Sequence, residues 1–252
     1  MTQSQSNTPN ELEEQRRFWN FWNTKHRVEN RKLPQVNERQ ARMVTGWLST
    51  LGRTNLDILE VGCGSGWMCG HLAGFGRVTG TDLANEVLPR ADAAPQGVTF
   101  VAGDFFELAF PLSGFDVVVS LETLAHVGDQ EAFVEKTARL LRPGGYLMLA
   151  TQNRFALERW SEVVPRAPGQ IRKWVDAKAL RRLLSTHFEV VELTSIFPVG
   201  DRGILRWINA HTVNRVLSTF MSQARIDALK ERLFLGHTLM VLAQKPVGGV
   251  QR

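Results

Sequence analysis

Two cysteines in 252 residues, with no Cys-x-x-Cys spacing and no wider Cys/His pattern, leave this chain without a disulfide framework or a zinc site. Cys63 and Cys69 stand six positions apart, and so sparse a thiol content fits a reducing, cytoplasmic setting. Nowhere do 18 apolar residues run together, and the opening MTQSQSNTPNELEEQ has no apolar core of the signal-peptide kind. Neither export nor membrane spanning is expected. Repeats and low-complexity tracts are absent too, and 43% hydrophobic with 22% charged residues is the composition of an ordinary globular chain with one good core.

The net charge of +5 is unevenly spread. Residues 1–151 hold 14 Lys/Arg against 17 Asp/Glu, and residues 152–252 hold 16 against 8. Such asymmetry suits an acidic substrate, an anionic lipid surface or nucleic acid, and equally a solvated basic face.

Read in order, the chain starts with about ten residues expected to be disordered. Two helices follow, Glu11 to Trp22 and Glu38 to Leu51, around a breaker at Pro34. Trp19 and Trp22 share one face of the first at i, i+3 spacing, a pattern of packing more than of substrate stacking, and are read as lid framework. Strands are predicted at Asp57 to Val61, Arg77 to Asp82, Val98 to Ala102, Phe115 to Leu121 and Gly145 to Thr151, with helices between them, notably Asp129 to Leu141. That alternation predicts an α/β fold with a parallel sheet covered on both faces. A further helix is expected at Asp176 to Ser185, strands at Phe188 to Leu193 and His237 to Gln244, and between these strands a basic, mostly helical insertion over 197–235. Its Arg202, Ile204, Leu205, Arg206, Trp207, Ile208 and Arg215 form a lid whose alternatives are packing on the domain and contact with anionic lipid or a lipid-like molecule. The division expected is an N-terminal helical entry segment, 1–55, and a main domain, 56–252.

The densest signal is LDILEVGCGSG, Leu56 to Gly66. An apolar strand runs into a turn where Gly62, Gly64 and Gly66 strip away side chains, the arrangement needed where a ligand meets the backbone. A helix starting near Trp67 would aim its free N–H groups there, favouring an anionic group such as an amino acid carboxylate. The spacing is Gly-x-Gly-x-Gly. It departs from the dinucleotide Gly-x-Gly-x-x-Gly because Trp67 holds the third glycine's place, and from a P-loop because no Gly-Lys-Ser/Thr closes the turn.

Two acids follow at strand ends. Asp82, 16 positions beyond Gly66, can accept from both hydroxyls of a ribose, or cap a helix. Asp104 in AGDFFEL can accept from an adenine amino group while Phe105 packs on the ring, or cap a short helix.

In EVGCGSG, TGTDLA, AGDFFEL and LLRPGGYLMLAT, in that order, residues 56–151 resemble the class I S-adenosylmethionine-dependent methyltransferases. SLETLAHV (Ser120 to Val127) with ATQNR (Ala150 to Arg154) is similar to the ubiquinone-biosynthesis O-methyltransferases and their small-molecule relatives. The likeness extends more weakly through RKWVDAKALRRLLSTHFEVVEL and fades across the insertion; FWNFWNTKHRVENRKLP does not align clearly with the arginine-bearing entry of the ubiquinone enzymes, so Arg39 and Arg42 are left unassigned.

The resemblance implies a seven-stranded, Rossmann-like doubly wound sheet whose last strand is antiparallel, with S-adenosyl-L-methionine as cofactor and its homocysteine analogue as product. By motif, Glu60, Gly62, Cys63, Gly64 and Gly66 would surround the methionine part, Asp82 and Leu83 the ribose, Asp104 and Phe105 the adenine, and Leu121 the region near the sulfur. The partner implied is a small-molecule methyl acceptor of unidentified structure, and no metal is expected.

A sulfonium already activates its methyl group, so the protein must hold a nucleophile in line at about 3 to 3.5 Å and exclude water. A hydroxyl acceptor also needs a base, and His126, just after strand four where the family's motif also has histidine, is the catalytic candidate. It reads equally as a structural histidine bonded to a loop carbonyl. Glu122 can orient an acceptor or serve as a loop or cap partner. Asn153 and Arg154 after strand five can bind a polar or acidic acceptor, or cap the surface. Two other functions compete. A nucleic-acid methyltransferase would suit the basic half, but Ser120-Leu121-Glu122-Thr123 stands where base amino-methylases carry an Asn/Asp-Pro-Pro-aromatic turn; a non-catalytic cofactor-binding regulatory protein is the other.

Overall fold

The computed structural model describes residues 9–28, 34–89, 91–198 and 222–248. Seven strands form one sheet in the order β3-β2-β1-β4-β5-β7-β6. They are β1 (Leu56–Val61), β2 (Gly76–Asp82), β3 (Val98–Ala102), β4 (Phe115–Leu121), β5 (Leu141–Gln152), β6 (Glu189–Ile196) and β7 (Thr238–Gln244). β1 through β5 pair in parallel, and β7 enters antiparallel between β5 and β6. The expected sheet, including its reversed last strand, is the one found.

Alternation within each central strand divides the core into two. Leu59, Val118, Leu147, Leu149 and Val241 point to one face, onto Phe133 and Val134 of α4 (Gln130–Leu140) and Leu180 and Leu184 of α6 (Ala177–Leu184). Ile58, Val117, Val119, Met148 and Met240 point to the other, onto Val44, Trp47 and Leu48 of α2 (Gln35–Thr50) and onto Met68 and Leu72. Fully covered strands are what near-continuous apolar runs of a parallel sheet require. Side-chain caps fix where the helices start. Asp129 accepts from Ala132 N at 2.9 Å, and Asp176 accepts from Ala179 N at 2.8 Å.

Three local readings need correction. The helix expected from Trp67 is only the four-residue α3 (Cys69–Leu72), preceded by turns, because left-handed Gly64 and Gly66 are incompatible with helical backbone at the start of that segment. α1 runs Pro9–Asn23, continues into a π-type turn over Thr24–Val28, and begins two residues before the expected Glu11. β5 begins at Leu141, with a register irregularity between Phe115 and Val117 on β4, so the Pro143-Gly144 stretch joins the sheet edge. The remaining helices are α5 (Arg154–Trp160) and α7 (Gln223–Arg232). Of the predicted insertion, the apolar and basic residues from Arg202 to Arg215 lie outside the described residues. No helix among the described residues is long and apolar enough to cross a membrane.

The strand order reverses between β1 and β4, which puts the crevice of a doubly wound sheet beside the ends of these two strands. Reversal of β7 brings its first residues to the same edge of the sheet as the last residues of β5 and β6.

Candidate active site

A cavity of about 490 Å³ opens at that edge. Its floor is the glycine turn. A Cβ on Gly62 would stand 2.0 Å from Thr123 Oγ1, one on Gly64 3.2 Å from Asn23 Oδ1, and both residues have positive φ. At Gly62 a side chain is thus excluded twice over, by backbone conformation and by space, and at Gly64 by backbone conformation with Asn23 close by.

Asp82, at the end of β2, braces the turn. Its Oδ2 accepts from Gly64 N at 2.7 Å and its Oδ1 from Ala84 N at 2.7 Å. Burial raises its carboxyl above the ordinary value, while those two N–H groups pull it down. Thr81 and Leu83, on either side of it, also line the cavity, and Thr81 Oγ1 is buried with no hydrogen-bond partner among the described residues.

Beyond β3, Asp104 and Phe105 line the next stretch of wall. Asp104 Oδ1 accepts from Phe106 N at 3.0 Å, which folds 104–108 into a tight turn. Phe105 is buried against Phe133, with ring centroids 5.2 Å apart. Lys136 of α4 holds the turn from outside, donating to the carbonyls of Phe106 and Leu108 at 2.9 and 2.8 Å.

Two residues expected around the ligand, Glu60 and Gly66, do not line the cavity. Glu60 is 1% exposed and its Oε2 accepts from Cys69 Sγ at 2.9 Å; burial pushes its carboxyl well above the usual range. Gly66 backs onto the ring of Phe100, which a Cβ there would approach to 2.6 Å. Both support the turn, whereas Cys63 shares the cavity wall with Gly62, Gly64 and Ser65.

At the end of β4, Leu121 and Glu122 reach the cavity. Glu122 has φ +62, a left-handed backbone unusual for a non-glycine residue. Gln40 Nε2 of α2 and Thr238 Oγ1 of β7 both donate to its Oε1, at 2.6 and 2.9 Å.

His126 follows in a short 3-10 turn, Leu124–His126. Its Nδ1 lies 2.7 Å from the carbonyl oxygen of Ile171, and a carbonyl only accepts, so Nδ1 carries the proton and Nε2 keeps a lone pair. Desolvation lowers the imidazole below its ordinary value against the raising effect of the Ile171 carbonyl, and Arg172 lowers it further. At neutral pH the ring is an uncharged base.

Asn153 and Arg154 are elsewhere. Asn153 is fully buried, donates to the carbonyls of Phe234 and Gly236 at 2.9 and 2.8 Å, and caps α5. Arg154 pairs with Asp176 near the surface. Neither lines the cavity.

Sequence reasoning read Trp19 and Trp22 as lid framework but assigned no residue of this helix to the cavity wall. Trp19, Trp22 and Asn23 of α1, together with Gln15, lie across the cavity. Asn20 pins α1 to the loop after β2, donating to Asn85 Oδ1 at 3.2 Å and accepting from Glu86 N at 3.2 Å. The i, i+3 tryptophan pair was the signal, but spacing alone does not tell a packed face from a cavity wall. His237 and Gln152 on the β5/β7 side were missed as well. Among the described residues no group of three His, Cys, Asp or Glu side chains is arranged to hold a metal ion.

Comparison with known proteins agrees with this geometry. A family model described as a methyltransferase domain matches residues 59–149, the span from the glycine turn through β5. The ubiquinone biosynthesis O-methyltransferase of Pectobacterium atrosepticum is 30% identical over 200 residues, covering 69% of this chain and 78% of the relative. A Mycolicibacterium smegmatis protein named "Probable S-adenosylmethionine-dependent methyltransferase" is 31% identical over 180 residues, covering 71% of this chain. The chain spans 63% of that protein's length and 62% of the Rhizobium leguminosarum ubiquinone biosynthesis O-methyltransferase. In fold it is similar to the Burkholderia thailandensis 1,6-didemethyltoxoflavin-N1-methyltransferase, solved with S-adenosylhomocysteine, at a TM-score of 0.60 and 20% identity over 97% of this chain and 93% of that one. Motif order, sheet topology and these relatives converge: the chain belongs to the S-adenosylmethionine-dependent methyltransferase family.

Proposed function

We propose that the protein is an enzyme that moves a methyl group from S-adenosyl-L-methionine to a hydroxyl, with an amine as second choice, of a small secondary-metabolite or quinone-like acceptor. One observation carries the reading. The bare glycine turn and His126, whose Nε2 is left unprotonated by the Nδ1–Ile171 bond, line a single cavity, which supports a cofactor cradle and a base serving the same space.

The residues present fit the cofactor. Gly62 and Gly64 leave the floor without side chains, Thr81 Oγ1 is a buried group awaiting a partner, and carboxylates stand at the ends of β2 and of the turn after β3. Gly62, Cys63 and Gly64 would hold its methionine part over the support of Glu60 and Gly66. Asp82 with Leu83 would hold the ribose, and Asp104 with Phe105 the adenine, leaving Leu121 near the sulfur. Bound there, S-adenosylmethionine supplies a methyl group already activated by its positive sulfur.

The chain's residues then have two tasks. The first is exclusion of water, for which α1 and its tryptophans form the roof. The second is proton removal: Nε2 of His126 takes the acceptor's hydroxyl proton while Nδ1 stays fixed on Ile171. Hydroxyl chemistry is favoured over amine because the ubiquinone biosynthesis relatives are named O-methyltransferases, and a neutral histidine is the base a phenol requires. With Cys63 and Cys69 both free, a reducing compartment such as the cytoplasm is the proposed location.

The test is a tritiated-methyl transfer screen over phenols, sugars, peptides and amines, run beside His126→Ala. Transfer to a phenol or other hydroxyl that the variant loses is expected. Full activity of the variant on the best acceptor would remove the base assignment.

A further inference from the structure

His126 is gripped from three sides, and two of the grips come from α1. Gln15 Nε2 donates to the His126 carbonyl oxygen at 2.8 Å. The Trp19 ring meets the imidazole edge to face, with centroids 4.6 Å apart and planes at 63°. The third grip is the Ile171 carbonyl on Nδ1, from the segment between α5 and α6. The same Trp19 packs on Phe18 and on Trp22, whose ring in turn lies 4.8 Å from His26.

These contacts do more than cover a cavity. A histidine side chain on a short 3-10 turn has two χ angles and two tautomers to choose from, and the choice decides whether a lone pair or an N–H faces the reacting group. Ile171 selects the tautomer. Gln15 fixes the backbone from which the side chain springs, and Trp19 blocks rotation of the ring while keeping water from it. We infer that Gln15 and Trp19 of α1 are positioning residues for His126, holding its imidazole in the one orientation and tautomer that present Nε2 to the cavity.

The assignment deepens the proposed function and rests on His126 being the base. It adds that the roof helix and the base form one unit, joined by the Gln15 hydrogen bond and the Trp19 ring contact. Arg172, from the segment that carries Ile171, acts on the imidazole by its charge, and Asp82, Asp104, Glu122 and His237 line the same cavity. They remain constant in every variant below. The nearest groups on α1, Gln15 and Trp19, carry no charge, so their removal alters hydration and geometry only.

The experiment reads the imidazole itself and needs no acceptor. Nitrogen-15 NMR of the full chain, saturated with S-adenosylhomocysteine, follows the His126 titration and tautomer in the parent, Trp19→Leu, Trp19→Phe and Gln15→Ala. In the parent the neutral ring is expected with the proton on Nδ1 and a midpoint below about 6.5. Trp19→Leu is expected to raise the midpoint toward that ordinary value and to admit the other tautomer. Gln15→Ala should admit the second tautomer with a smaller change of midpoint, and Trp19→Phe, which keeps an aromatic face, should stay near the parent. A merely structural role would lower the melting temperature and leave tautomer and midpoint alone. If Trp19→Leu does not fold, Gln15→Ala decides by the same readings. Identical tautomer and midpoint across the folded variants would overturn the inference, as would a parent ring protonated on Nε2. The base assignment fails separately, through retained transfer by His126→Ala.

Discussion

Asp82 Oδ2 and the backbone N–H of Gly64 are 2.7 Å apart, so the acid at the end of β2 and the glycine turn after β1 form one rigid unit. The same carboxylate is the residue expected to meet a ribose. Asp82→Ala therefore removes both a ligand contact and the brace of the turn. Loss of hydrogen bonds to a charged acceptor costs about 1.5 to 3 kcal/mol each, so affinity for S-adenosylhomocysteine should fall about tenfold or more. Calorimetric titration checks it, and unchanged affinity would remove the ribose assignment.

Gly62→Ala should fail for two separable reasons. Its Cβ would stand 2.0 Å from Thr123 Oγ1, and φ is +77. The expected cost is about 1 to 3 kcal/mol of stability from overpacking and backbone strain, with cofactor affinity lost as the turn opens. Adding Thr123→Ala removes the two nearest atoms but leaves Thr123 Cβ 2.9 Å away and the backbone strain in place, so the double variant should recover only part of the stability in urea denaturation.

For pH dependence the sign follows from burial. A base works unprotonated, and His126 is shifted below the ordinary imidazole value by desolvation, so kcat/KM should be flat above about 6.5 and fall as acidity passes through the lowered value. Folding linkage has the same direction. The unfolded chain takes up the proton first, so this residue's contribution to stability is full above about 6.5 and is lost as the pH falls toward the lowered value. His126→Asn should flatten that acid limb in both profiles, and an unchanged limb would assign it to another group.

Asn153→Ala separates scaffold from site. The side chain closes two carbonyls and caps α5 from a fully buried position, so the variant should lose about 1 to 3 kcal/mol in urea denaturation. Because Asn153 does not line the cavity, KM for the acceptor and affinity for S-adenosylhomocysteine should stay unchanged.

Far from the cavity, Asp116 is the centre of an ion cluster at the opposite ends of β1 and β4. Arg53 and Arg142 donate to its two oxygens at 2.6 and 2.5 Å, and Asp57 N adds a third bond at 3.0 Å. Asp116→Ala would leave two guanidinium groups and a backbone N–H short of a partner at a buried carboxylate's place. A loss of about 2 to 4 kcal/mol is expected, with affinity for S-adenosylhomocysteine unaffected.

What the sequence disclosed, and what it withheld, follows from how far apart the interacting residues lie. Of the five parallel strands, β1, β3, β4 and β5 announce themselves by short apolar runs, β2 by the acid at its end, and EVGCGSG with TGTDLA because a bare turn next to a strand-end acid is a local pattern. Their contact, Gly64 to Asp82, joins residues only 18 positions apart. The roof is different: Gln15 reaches His126 across 111 positions, and Gln40 reaches Glu122 across 82. Nothing in the spacing of Trp19 and Trp22 tells which surface their helix covers. Asn153 misled for the opposite reason. It follows a strand end, as a ligand-binding residue would, but its amide spans loop carbonyls more than 80 positions away.

The reversal of β7 has a consequence for how this scaffold can change. Ile196 at the close of β6 sits opposite Thr238 at the opening of β7, so the connection between them leaves from the mouth of the cavity and returns to it. Phe197 and His237, its first and last residues, are both part of the wall. Rewriting the residues of that one connection that line the wall, Phe197 and His237, would reshape the chamber for a new acceptor, while the glycine floor, built on β1 and β2, would be inherited untouched.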